Sequence, residues 1–423
     1  MDYFERTLQF FQSQYPETSR NLNFQDRQKF RERLSPNLFC ANVLELPLSI
    51  KNEAEKIVSA FFALRQIPSR LQALAQLSPQ IIDPGNTSAL MCYDFHIDRA
   101  GHLRLIEINT NASLSLIADA QYALAGLKNG FCADFRAEIV QTFLKEYQAS
   151  GVKGELKRIA IVDEKPKDQR LFAEFVLFCE LFRKHGLDVE ICDPSELTLA
   201  ADKSLRLGDL KIDLVYNRST DFYFESASSD VLRKAMLEKI ACISPHPHEY
   251  RLLADKERLL ELARADAIDA FDELTKEQKD ALKRTLIPTK DVREFANADT
   301  LWADRKRWFF KPMRSFGGKA TYRGASITRA AFAEVLERTA YLAQEFVPAP
   351  EIIFPTNSSS DTASRSASDV ASSLKKFKYD LRFFAYRDRI QLGAARIYQG
   401  QLTNSQTPGG GIAALSFTQS PSH

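Results

Sequence analysis

The chain has 423 residues and a mass of 48.0 kDa, with 44% hydrophobic and 26% charged residues, enough for two or three globular domains with their own cores. Its 57 basic residues against 55 acidic ones leave a formal charge of +2 with no long Lys/Arg block, so the charge gives no case for a nucleic-acid partner. The start, MDYFERTLQFFQSQYPETSR, lacks the basic end and apolar core of a signal peptide, and no apolar run reaches the roughly eighteen residues of a membrane span. A soluble cytoplasmic protein with no membrane partner is therefore expected.

Residues 1–85 read as a helical region, with EAEKIVSAFFALRQIPSRLQALAQL carrying apolar positions at three- and four-residue spacing up to a proline break. SALMCYDFHIDRAGHLRLIEINTN follows as two short strands around the turn signal DRAG, a hairpin that puts Asp94 on one arm and Glu107 on the other. SLIADAQYALAGL and FRAEIVQTFLKEYQAS then return to helix, closing a unit at 86–155. From KRIAIVDE, residues 156–248 alternate strand and helix in a βαβ series, which favours a parallel sheet whose ligands meet the carboxyl ends of its strands. No GxGxxG follows Ile161, which disfavours a dinucleotide fold; Asp163 and Arg218 fall at strand ends, where substrate contact, a turn or a salt bridge would each suit them.

YRLLADKERLLELARAD reads as helix, and WFFKPMRSFGGKATYRG opens another strand-rich unit, so that 249–350 forms one further body. The stretch 351–378 contains TNSSSDTASRSASDVASSLKK, too polar to bury apolar area, and reads as a flexible insert. KYDLRFFAYRDRIQLGAARIYQG is a second hairpin, and residues 379–423 end in TPGGGIAAL and a dispensable tail. The glycines suggest close backbone approach beside a substrate or, equally, a flexible turn. The cysteines Cys40, Cys92, Cys132, Cys179, Cys192 and Cys242 form no CxxC and read as buried thiols. His96 shares the face of Asp94 and is read as satisfied by local hydrogen bonds.

In RLIEINTNAS, Glu107, Asn109 and Asn111 repeat every two residues, so an extended chain turns three oxygen-bearing side chains one way. That pattern suits an exposed strand edge, and it also suits a hard cation such as Mg²⁺ held together with substrate phosphates. Hydrogen-bond donors for phosphate are available at Lys311 in FFKPMRSFGG, where adjacent glycines allow backbone to approach oxygens and the ammonium supplies a point charge.

Together these motifs resemble the ATP-grasp superfamily, and their order along the chain resembles its circularly permuted members, distantly glutathionylspermidine synthetase. The resemblance implies an α/β fold, α+β overall: an ATP-grasp core in circularly permuted order with a parallel βαβ pre-ATP-grasp domain. It implies ATP and Mg²⁺ as cofactors, with Asp94, Glu107 and Asn109 as metal ligands and Lys256 and Lys311 on the phosphates. Ser315, Gly317 and Gly318 would cover the phosphates; Gln344, Glu345, Phe346 and Val347 would form the adenine hinge; Glu351 would hold the ribose. Arg396, Arg382 and Lys311 would be catalytic, with Asp380 beside them, and Asn111 would orient a ligand. The implied reaction joins a small carboxylic acid to an amine or short peptide through an acyl phosphate. A small-molecule kinase at the same site and a non-catalytic nucleotide-binding protein stay open as alternatives, and neither the substrates nor the oligomeric state can be read.

Overall fold

In this computed structural model the described residues are 2–314, 320–337, 340–355, 374–401, 403–404 and 407–419. The N-terminal region is helical as expected, with Asp2 capping Tyr3–Gln14 and Pro68 opening Pro68–Leu77 where the helix Leu48–Arg65 has just ended. One short strand, β1 (Leu44–Pro47), interrupts it. The hairpin follows as β2 (Met91–Ile97) and β3 (Leu103–Asn109), its turn held by the Asp98 carboxylate, which accepts from the amides of Ala100 and His102. Two helices, Ser115–Ala125 and Phe135–Ser150, each stop at a left-handed glycine, Gly126 and Gly151.

The βαβ expectation holds. Strands β4 (Arg158–Val162) and β5 (Asp188–Cys192) flank the helix Phe172–Lys184. A three-stranded meander that the sequence reading did not separate, β6 (Leu197–Leu199), β7 (Leu205–Leu207) and β8 (Leu210–Ile212), precedes β9 (Leu214–Asn217) and β10 (Cys242–Ser244). The four long-range strands lie parallel in the order β10-β9-β4-β5. The expected helix over YRLLADKERLLELARAD is broken. A π-turn at Tyr250–Ala254 ends at Asp255, whose backbone is extended, and a fresh helix, Glu257–Leu262, starts just beyond Lys256.

The next body is a four-stranded antiparallel sheet ordered β11-β14-β12-β13, built from β11 (Thr289–Asp291), β12 (Trp308–Pro312), β13 (Tyr322–Arg323) and β14 (Tyr341–Glu345). Phe310, Trp308, Phe332 and Val335 fill the space between this sheet and the helix Arg329–Glu337. The ends of the stretch expected as a flexible insert are strands: β15 (Glu351–Pro355) pairs with the start of β16 (Leu374–Tyr386), while the residues between them lie outside the described set. Thirteen-residue β16 then turns through Arg387 into β17 (Arg389–Tyr398).

Strands from distant parts of the chain form the central sheet, β18-β17-β16-β2-β3, with β15 on the first half of β16 and β2 on its second half. One face, through Phe95, Leu381 and Phe383, packs on Phe61 and Ile57 of the helix Leu48–Arg65. The other face is apolar only at one end, where Cys92, Phe384 and Leu392 meet Leu116 and Ala120. The first residues of the tail expected to be dispensable, 416–418, are instead part of a strand. After β18 (Gly411–Ala413), β19 (Leu415–Thr418) pairs in parallel with β1, and Leu415 is buried because Leu44 and Leu46 beside it close the same core. No described helix is long and apolar enough to cross a membrane.

Candidate functional site

The remaining part of that second face is charged. Glu107 on β3 stands opposite Asp94 on β2, Asp94 opposite Arg382 on β16, and Asp380, two residues earlier, opposite Arg396 on β17. Alternation along each strand turns all five side chains to one side, so the stripe follows from register. The Arg382 guanidinium donates through Nε and Nη2 to the two oxygens of Asp94, each at 3.0 Å, and through Nη1 to the Ser113 carbonyl. Arg396 donates to Asp94 at 2.9 Å and to Asp380 at 2.7 Å. Asp380 also accepts from the Thr403 hydroxyl at 2.6 Å.

Asp94 is wholly buried. Burial alone would raise its pKa, but Arg382 and Arg396 reverse that and draw it down to about 2. Burial likewise opposes the charge on Arg396, and Asp380 and Asp94 outweigh it. The floor of the cleft is thus desolvated, made tolerable because Asp94, Asp380, Arg382 and Arg396 are ion-paired and hydrogen-bonded to one another.

Across from the stripe stands Lys311 on β12. Register between Asp94 and Phe95 slips on β3, and the extra residue at this bulge, Ile106, presents its carbonyl to Lys311 Nζ at 3.0 Å. The ammonium also donates to Gln344 Oε1 at 2.8 Å. Burial lowers the Lys311 pKa to about 8, Glu107 pulling it up and Lys256 pushing it down. Gln344 Nε2, also buried, has no partner among the described residues.

These groups surround a cavity of about 340 Å³ whose lining includes Glu107, Lys256, Lys311, Asp380 and Arg396, together with Gln344, Glu345, Phe346 and Val347, the segment expected as a hinge. Phe309 and Phe346 supply apolar wall, and the Arg323 guanidinium lies 4.4 Å over the Phe346 ring. His96 Nδ1 lies 2.8 Å from the Val347 carbonyl, tying that segment to β2, and burial lowers its pKa. A second cleft, of about 790 Å³, adjoins the first and shares Glu107, Arg396 and Thr403 with it. Its other walls include Asn109, Asn111, Arg382 and, from the βαβ domain, Asp163, Arg170 and Arg218. Burial raises Asp163 to about 6 against the pull of Arg218.

Most residues singled out in the sequence thus meet at two connected clefts. Asn109 faces the second cleft and donates to Asp94 at 3.4 Å. Glu351 does not join them: it is exposed on β15, ion-paired to Lys376 and outside the cavity, although Lys378, opposite it on β16, lines the cavity. Ser315, Gly317 and Gly318 lie outside the described residues. Thr403, Arg323 and the hinge contact of His96 were missed; only the shared face of His96 and Asp94 hinted at one of them. Among the described residues no group of three or more His, Cys, Asp or Glu side chains is placed to hold a metal ion.

No family model matches the chain. No curated protein matches it either. Among solved structures, a glutathione synthetase-like effector from Globodera pallida is similar at 10% identity and a TM-score of 0.55, over 95% of this chain and 96% of that one. A putative gamma-glutamylcysteine synthetase from Methylobacillus flagellatus KT aligns over 88% of this chain and 87% of its own at 11% identity, with a TM-score of 0.44. The first likeness is one of fold: the chain is built as that glutathione synthetase-like effector is.

Proposed function

We propose that the chain is an ATP- and Mg²⁺-dependent ligase that joins a carboxylic acid to an amine through an acyl phosphate, on an ATP-grasp core in circularly permuted order. The observation that carries this reading is the junction of two clefts at Glu107 and Arg396. A nucleotide in one cleft and an acid in the other would meet at a carboxylate and a guanidinium, an arrangement suited to phosphoryl transfer between them.

The residues fit a nucleotide and its metal. Gln344 Nε2, an unpaired buried donor at the hinge, suits a base nitrogen, and Phe309 and Phe346 suit its faces. Glu107 and Asn109 offer a carboxylate and an amide oxygen to Mg²⁺, which takes one or two carboxylates with phosphates rather than an all-protein cage. When bound, the nucleotide would supply the phosphoryl group that activates the acid, and Mg²⁺ would neutralise its charge. Lys311 and Lys256 would offset the rest of the phosphate charge, with Lys311 held ready by Ile106 and Gln344. Arg396, reaching both clefts, would face the charge that develops on the acyl oxygen. Asp94, expected as a metal ligand, has both oxygens taken by Arg382 and Arg396; it would act behind Arg396, fixing the planes of the two guanidiniums, and Arg382, expected as catalytic, would fix the backbone at Ser113.

Release of ADP, screened against paired acids and amines, tests the reading. Ligation requires that both be present; release with an acid alone would make the protein a kinase, and absence of any Mg²⁺-ATP binding would remove the nucleotide assignment.

A further inference from the structure

Lys256 sits between a π-turn and a helix of six residues. The residue before it is anchored on both sides. Asp255 is buried; one of its oxygens accepts from the Glu257 amide at 2.9 Å, and the other accepts from the Tyr223 hydroxyl of the βαβ domain. The Tyr223 ring also packs edge-on against Tyr250, at the opposite end of the π-turn, with centroids 5.3 Å apart. One side chain therefore clamps both ends of the turn, which its own Asp255 amide to Tyr250 carbonyl bond, 2.9 Å, closes.

We propose that Tyr223 is a positioning residue for Lys256, acting through Asp255 to hold the ammonium at the phosphate end of the cavity. This rests on the nucleotide reading above and goes beyond it, since Tyr223 does not line the cavity. The segment that carries Tyr223 is itself fixed. The Asp221 carboxylate accepts from the amides of Glu225 and Ser226 at 2.9 Å each, and Phe222 stacks on Tyr250 at 4.3 Å while lining the second cleft. Loss of the hydroxyl would leave a buried carboxylate oxygen short of a donor, and the turn would relax to rehydrate it. Lys256 would move with the turn, whereas the hinge, on another sheet, would not.

Calorimetric titration of the full chain with Mg²⁺-ATP and with adenosine tests this. Tyr223→Phe is expected to weaken Mg²⁺-ATP roughly tenfold, as loss of a hydrogen bond to a charged group allows, and to leave adenosine unchanged. Lys256→Met is expected to show the same selective loss, and adding Tyr223→Phe to it is expected to cost nothing further. Equal losses for both ligands, an unchanged Mg²⁺-ATP affinity, or additive losses in the double variant would overturn the assignment. Should Tyr223→Phe fail to fold, Asp255→Ser, which keeps the cap on Glu257 but not the second oxygen, carries the same expectations. If the unaltered chain binds neither ligand, the nucleotide reading fails and this assignment falls with it.

Discussion

Glu107 and Lys311 face each other across the cavity, and each gives a direct test. Mg²⁺-ATP should raise the melting temperature, since a ligand bound only by the folded chain adds RT ln(1 + [L]/Kd) to its stability. In Glu107→Gln the Mg²⁺-dependent part of that rise is expected to shrink while the melt without ligand stays put; an undiminished rise would leave Glu107 without a metal role. Lys311 has a folded pKa lowered to about 8, below the roughly 10.4 of an unfolded lysine. Between those values the unfolded chain holds more protons, so stability should rise with pH over that window, and Lys311→Met should lose the rise. Phosphate beside Lys311 would restore the ammonium, so Mg²⁺-ATP binding near about pH 8.5 should take up a proton. Titrations in buffers of different ionisation heat would count it, and Lys311→Met should abolish it. Both residues were legible in the sequence because period-two spacing and a lysine before two glycines are local signals. The pairing of Asp94 with two arginines was not, since it depends on register between strands far apart in the chain.

At the scale of elements, both hairpins could be read from alternation and turn residues. The β1 and β19 pair could not, because four-residue strands pairing in parallel leave no periodic trace and their partners lie at opposite ends of the chain. The break before Lys256 was also hidden, the apolar spacing being helical on both sides of Asp255. The run of glycines in TPGGGIAAL does mark a close approach, but the backbone approached is the chain's own. A Cβ on Gly411 would come within 2.6 Å of the Leu38 carbonyl carbon, at a φ of +113° that L side chains rarely adopt. Gly411→Ala is therefore expected to lower stability by at least about 2 kcal/mol through strain and overpacking. Leu415→Ala, on the adjoining strand, should cost about 2–5 kcal/mol by opening a cavity. Urea melts of both variants check these values, and a loss below about 0.5 kcal/mol in either would mean that this end of the chain is held less firmly than its burial implies.

For the whole molecule, the α/β class and the parallel domain were legible because they rest on local alternation of strand and helix. The central sheet became legible only through a resemblance that joined motifs near residue 100 to motifs near 390. Asp94 is the residue on which that joining depends, and Asp94→Ala would leave Arg382 and Arg396 buried without their shared partner. A loss of about 3–5 kcal/mol is expected, read as a fall in the denaturation midpoint, whereas a surface aspartate changed the same way should cost almost nothing. The separation of the two partners has a further consequence during synthesis. Arg382 leaves the ribosome 288 residues after Asp94, an interval of roughly 15–60 s at about 5–20 residues per second. Throughout it the β2–β3 hairpin must wait with an unpaired strand edge and an uncompensated carboxylate, while the parallel domain, complete by Ser244, can already fold. Protein made faster than that edge can be shielded is expected to aggregate through β2, and a nascent chain stalled before β16 should be the species that chaperones hold.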